Sequence, residues 1–161
     1  MTFRTPAAWA EGVIHAMDLF LPDHAAAEKK ASSMAMTMVS HYPDRPELVA
    51  AMVDLAIEEL NHFRAVVMLM QERDLHLLPD EKDPYVNTLR QSIRTGKELF
   101  FMDRLLVAGI IEARGAERFG LVADALPAGP LKRFYRSIAL SEEGLSLIHI
   151  SEPTRLESKS R

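Results

Sequence analysis

Apolar residues recur at intervals of three and four along nearly the whole chain, and no stretch alternates with period two for long enough to suggest a strand. The pattern predicts an all-α protein. Thr5-Pro6 has the form of a helix start, a capping hydroxyl followed by proline at the first helical position. Pro22 is expected to interrupt that helix, with Asp23 opening a longer one that runs to about Ser40. Residues 41–46 read as a loop, and Asp44 and Glu47 have capping-box spacing for the next helix, which should reach about Arg73. Residues 74–83 form a connection. Asp83-Pro84 then repeats the cap-plus-proline start, and helical patterning continues through Arg94, with a break at Gly96, to about Leu126. A turn over 127–130 precedes a last helix that begins at Leu131.

Four acids fall on the apolar stripes of these helices. Glu28 shares its stripe with Leu21, His24, Ala25, Ser32 and Ala35, and Glu59 with Met52, Leu55, His62, Val66 and Leu69. Glu112 lies among Leu105, Ala108, Gly109, Gly115, Ala116 and Phe119, and Glu142 among Leu131, Tyr135, Ile138 and Leu145. A buried carboxylate without a counter-charge costs several kcal/mol. Four converging on one interior therefore need cations, and metal ions supply that charge compactly. The run Glu59-Leu60-Asn61-His62 adds a Glu-x-x-His step, which puts a carboxylate and an imidazole one turn apart. The spacings are 31 residues from Glu28 to Glu59 and 30 from Glu112 to Glu142, as expected of two facing helix pairs.

Ferritin-like di-iron bundles take one Glu from each of two helices and a Glu-x-x-His from each of the other two. The order here is Glu28, then Glu59 with His62, then Glu112, then Glu142 with Leu145 where a second histidine belongs. The expected fold is thus a ferritin-like four-helix bundle with extra short helices. A plainer reading stands beside it. Glu58 and Glu59 could be a solvated patch with His62 in i, i+4 contact with Glu58, and Glu28 could join Lys29 and Lys30 in a surface cluster.

Composition narrows the field. Apolar residues make up 48% and charged residues 26% of 161, enough for one domain with its own core. A net charge of −4 means that a polyanion would have to be met by a local basic patch. The absence of cysteine excludes disulfides, thiolate zinc sites and cysteine nucleophiles. There is no secretory signal pattern and no apolar run of membrane-spanning length, so a cytoplasmic location is expected.

Three segments sharpen the reading: Glu28-Lys29-Lys30-Ala31-Ser32, Glu59-Leu60-Asn61-His62-Phe63 and Ile111-Glu112-Ala113-Arg114-Gly115-Ala116-Glu117-Arg118-Phe119. With Asp103-Arg104-Leu105-Leu106, they resemble the signature segments of the tRNA 2-methylthio-N6-isopentenyladenosine hydroxylases, over about Thr5 to Glu142. The resemblance implies a non-haem di-iron monooxygenase. It would hydroxylate the isopentenyl side chain of a hypermodified adenosine beside the anticodon of tRNA, using dioxygen and electrons from an unidentified donor. It implies that Glu28, Glu59, His62, Glu112 and Glu142 ligate two iron ions. Phe100, Phe101, Leu105, Ile110 and Phe119 are candidate walls for the prenyl group, or plain core. Arg114, Glu117 and Arg118 are candidates for supporting the ligands or touching RNA, or else form an i, i+3, i+4 ion-pair group. Lys132, Arg133 and Arg136 are the phosphate-contact candidates by charge, or else a solvated helix face.

The family's last motif reads Ser-Glu-x-x-His, whereas this chain has Ser141-Glu142-Glu143-Gly144-Leu145. From about Leu145 the sequence ceases to read as a bundle helix, and 146–155 resemble a translated adapter read-through. The expectation is a bundle domain over 1–145, a final helix cut short, and a non-native, disordered tail over 146–161. His149, seven residues beyond Glu142, would lie about 10 Å along a helix axis from it and cannot stand in for the missing ligand. Weak binding of a second metal and poor hydroxylation by this chain would follow. Two other functions fit parts of the pattern. The same ligands would serve a ferritin-like peroxidase or iron store, and a non-catalytic helical interaction module would carry these acids as surface charges.

Overall fold

The computed structural model of the chain describes residues 4–142, so Leu145 and the 146–161 tail lie outside the described residues. Helix α1 spans Ala7–His15, α2 Met17–His41, α3 Pro46–Gln71, α4 Pro84–Gln91 and α5 Lys97–Ala125. Helix α6 covers residues 130–142. No strand occurs among the described residues. The chain divides into two compact units. Helices α2 and α3 form one, within His15–Asp80, and α4, α5 and α6 form the other together with the chain up to Ile14.

In the first unit, α2 and α3 pack along their length. Leu21, Ala25, Ala35 and Met38 of α2 are buried, as are Met52, Leu55, Ala56, Val66 and Met70 of α3. Small residues dominate the middle of the α2 stripe, which lets the Ser32 hydroxyl reach across and donate to the Ala56 carbonyl at 3.0 Å. Pro22 does not interrupt the helix as the sequence pattern suggests. It lies inside α2, and the break falls earlier, at Ala16, whose carbonyl accepts from the N–H groups of both Leu19 and Phe20. An interior proline costs about 3 kcal/mol. Burial of Leu21, fully enclosed, offsets it by about 1.5–3 kcal/mol, and Pro22 is itself buried. The capping box at Asp44 and Glu47 does not form either. The N-cap is Arg45, with no side-chain cap, and Pro46 at the first helical position sets the start.

The second unit opens as its sequence predicts. Asp83 Oδ1 accepts from the N–H groups of Tyr85 (2.7 Å) and Val86 (3.4 Å), capping α4. The break at Gly96 is real: this residue sits at φ 100°, ψ 136°, a region that favours glycine. Arg94 braces the turn. Its backbone N–H and Nε each donate to Asp103 Oδ2 at 2.9 Å, and its Nη2 donates to Oδ1 at 2.6 Å. Phe101, Ala108, Val122 and Ala123 of α5, and Tyr135 and Ile138 of α6, are buried. The Phe119 and Tyr135 rings lie 5.9 Å apart. Of the candidate walls, Phe101 is buried, Leu105, Ile110 and Phe119 are half-buried, and Phe100 is exposed with Arg104 over its ring.

Candidate metal centre

The α2–α3 pair brings three of the five candidate ligands together. Glu28 and Glu59 are buried on facing stripes, and His62 follows Glu59 one turn later. His62 Nδ1 lies 4.0 Å from Glu28 Oε2 and 3.9 Å from Glu59 Oε2. One ligand atom from each of the three falls within 4.8 Å of the others. The carboxylate side chains are only 5% and 1% exposed, so the surface-charge reading of Glu28 and Glu59 does not hold. Glu58, one residue earlier, is half-buried.

The geometry fits a metal ion. At donor–metal bonds of about 2.0–2.2 Å, two atoms on one ion lie no more than about 4.4 Å apart. The 3.9 and 4.0 Å separations fall under that limit, so His62 can share an ion with either carboxylate. Two carboxylates and an imidazole in a buried setting suit a divalent transition metal such as iron.

A further residue, not among the expected ligands, supports this cluster. His24 Nε2 is 2.5 Å from Glu28 Oε1, one turn earlier on α2, with its side chain fully enclosed. Glu28 therefore has one oxygen tied to His24 and the other turned toward His62. The i, i+4 spacing of His24 and Glu28 was visible in the sequence, but spacing does not say which way an imidazole turns.

In the other unit, Glu112 on α5 and Glu142 on α6 are also buried, at 6% and 2% exposure. Each sits on the apolar stripe expected of it, beside Ala108 and Gly109 in one case and Ile138 in the other.

The charged candidates are distributed differently from an ion-pair group. Glu117 accepts from the Thr5 backbone N–H at 3.1 Å and from the Thr5 hydroxyl at 3.0 Å. Thr5 thus serves Glu117 and does not cap α1. Arg114 lies over the Tyr85 ring at 3.9 Å, and Arg118 over the Trp9 ring at 4.7 Å. Burial, followed by the charge of Arg114, lowers the proton affinity of Arg118 below the ordinary guanidinium value. Lys132 Nζ donates to the Asp124 and Leu126 carbonyls at 3.2 and 2.9 Å, satisfying groups that the end of α5 leaves open. Arg136 pairs with Asp124. Both side chains therefore serve the α5–α6 turn; Arg133 and Arg136 are exposed and Lys132 is half-buried.

Over residues 1–145 the chain matches the model of the family described as tRNA-(MS[2]IO[6]A)-hydroxylase (MiaE). The chain belongs to this family. It is 36% identical over 138 residues to the tRNA 2-(methylsulfanyl)-N(6)-isopentenyladenosine(37) hydroxylase of Pseudomonas putida, covering 86% of this chain and 67% of that protein. The hydroxylase of the same name from Salmonella typhimurium is 35% identical over 121 residues, covering 75% of this chain and 44% of that protein. The chain thus spans about two thirds of the first relative's length and less than half of the second's. Among solved structures, a Synechococcus protein described as having aldehyde deformylating oxygenase activity superposes with a TM-score of 0.89 at 34% identity. That superposition covers 96% of this chain and 77% of the neighbour. The fold is all-α and ferritin-like. A Glu/His cluster in such a fold fits iron binding. No helix of the described residues is long and apolar enough to cross a membrane.

Proposed function

We propose that this member of the tRNA hydroxylase family is a di-iron monooxygenase. Its substrate is the isopentenyl side chain of a hypermodified adenosine beside the anticodon of tRNA. The buried Glu28–Glu59–His62 cluster carries the reading, because two enclosed carboxylates facing one imidazole are stable chiefly around a cation. Glu112 and Glu142, buried on the equivalent stripes of α5 and α6, are taken to complete the ligand set for two iron ions. Residues 1–145 are read as one catalytic domain, the span that the family match also covers. Cytoplasm is the compartment that a tRNA substrate implies.

Bound iron would activate dioxygen, delivering one oxygen atom to a substrate C–H bond and the other to water, with two electrons and two protons from an external donor. The chain's residues have separate tasks. Glu28 and Glu59 provide anionic oxygens, and His62 provides a nitrogen donor that is softer than carboxylate. His24 fixes the rotamer of Glu28, so that one carboxylate oxygen faces His62 without reorganisation. Enclosure of both carboxylates keeps bulk water from the donors and strengthens their hold on a cation. Phe101 is buried on the same helix as Glu112 and is the best-enclosed candidate for a prenyl wall.

The test is nucleoside analysis of prenylated tRNA after incubation with iron-loaded protein, a reductant and labelled dioxygen. A hydroxylated nucleoside carrying the oxygen label is expected, and Glu112→Ala should abolish it. The activity named for the Synechococcus neighbour supplies the competing outcome. Turnover of an aldehyde with no labelled nucleoside would overturn the proposal.

A further inference from the structure

Arg114 and Arg118 stand one turn apart on α5, about 6 Å along its axis, each with its guanidinium laid on an aromatic ring from another helix. Both are half-buried. The Nε of each is buried with no acceptor, and neither guanidinium has a hydrogen bond or ion pair among the described residues. Like charges at this spacing repel, so the arrangement works against the helix that carries it.

The neighbouring acids are near enough to act on Arg118 through space, yet both are committed elsewhere. Glu117 receives Thr5 on both oxygens. Asp83 caps α4. Two guanidinium groups are thus held in fixed planes by Tyr85 and Trp9, and Asp83 and Glu117 act on Arg118 through space without bonding it. A guanidinium stacked on a ring keeps its in-plane N–H groups available, and those groups match the paired anionic oxygens of a phosphate. Arg114 and Arg118 follow Glu112 by two and six residues, about 200° and 240° around α5, so the pair lies on a face of the helix turned away from Glu112.

We propose that Arg114 and Arg118, backed by Tyr85 and Trp9, form a clamp for a phosphodiester of the RNA substrate. The inference rests on the tRNA reading above and adds to it the residues that grip the backbone. Lys132 and Arg136, the more obvious basic residues by sequence, are tied to the α5–α6 turn and have less to offer an incoming phosphate.

The experiment is fluorescence anisotropy with a labelled anticodon stem-loop RNA carrying a prenylated adenosine, over a range of salt concentrations. It uses the full chain and its Arg114→Gln/Arg118→Gln and Arg114→Lys/Arg118→Lys variants. The glutamine pair should weaken binding by about ten-fold at low salt. It should also make the slope of log K against log salt shallower by about 0.7–0.9 for each phosphate that is no longer neutralised. The lysine pair should restore most of the salt slope and only part of the affinity, because an ammonium keeps the charge and loses the planar fork. Circular dichroism checks that the variants remain helical. Should the glutamine pair unfold, the wild-type Arg Nε–Hε resonances, assigned by single lysine substitutions, serve instead, and they must shift when the RNA is added. RNA binding that the substitutions leave unchanged, or resonances that do not move, would overturn the clamp alone. Failure of the wild type to bind the RNA at all would overturn the tRNA reading and the clamp with it.

Discussion

Glu59→Gln should make the metal-free protein more stable and the iron-treated protein less stable than wild type. Glutamine keeps the shape of the side chain and removes one charge from a cluster in which Glu28 and Glu59 offer oxygens within 4.8 Å of each other. At that distance two full charges repel by about 3.5 kcal/mol, for an effective dielectric constant of about 20. Relaxation of the metal-free cluster relieves part of this, so the realised gain should be about 1–3 kcal/mol. For a chain of this size that is a rise in Tm of about 2–10 °C. Ferrous iron at about 100 times its Kd would add about 2.7 kcal/mol to the wild type and nothing comparable to the variant. The two proteins should therefore exchange order between chelator and iron. Thermal melts followed by far-ultraviolet circular dichroism under anaerobic conditions give both comparisons. A variant that is less stable than wild type in chelator, or that gains as much from iron, would rule out a metal-neutralised repulsion between Glu28 and Glu59.

Three other predictions follow from separate features. Hydrogen bonds from the Arg94 side chain and backbone hold the Asp103 carboxyl down to about 2, below its ordinary value of 3.8. The brace thus stabilises fully above the ordinary value and is lost as pH falls toward 2. Asp103→Asn should flatten that part of the acid-denaturation profile, measured as urea midpoints against pH. Gly96→Ala should cost about 1–3 kcal/mol, read from the same urea melts, because an added Cβ meets nothing within 4 Å and the penalty is backbone conformation alone. Leu145→His, which restores the family's Ser-Glu-x-x-His motif, should raise iron stoichiometry and product formation together. Equal values for both forms would show the sixth ligand to be dispensable.

The helix faces were legible because an amphipathic stripe is set by spacing alone. Leu21, His24, Ala25, Glu28, Ser32 and Ala35 are all buried, as their shared stripe on α2 predicts. At the end of α3 the buried position is Met70, one beyond the Leu69 that the spacing predicts, since a long helix drifts from any fixed repeat. Local signals failed where tertiary contacts outweighed them. Pro22 stays helical because Leu21 and Pro22 are enclosed. Asp44 and Glu47 make no capping box because Pro46 fixes the start of α3. At the site, carboxylates on inward stripes could be found by phase, and the clustering of Glu28, Glu59 and His62 follows from the pairing of α2 with α3. Side-chain partners from distant segments could not be found that way. Thr5 with Glu117 and Trp9 with Arg118 are joined across more than a hundred residues, and no periodicity encodes them.

Iron binding by this cluster can be measured by anaerobic equilibrium dialysis of the metal-free chain against ferrous iron, with the bound metal examined by Mössbauer spectroscopy. Saturable uptake is expected, with parameters of high-spin ferrous iron on oxygen and nitrogen donors, and uptake should be lost in Glu28→Gln and Glu59→Gln. No uptake by the wild type, or uptake that both substitutions leave unchanged, would contradict it.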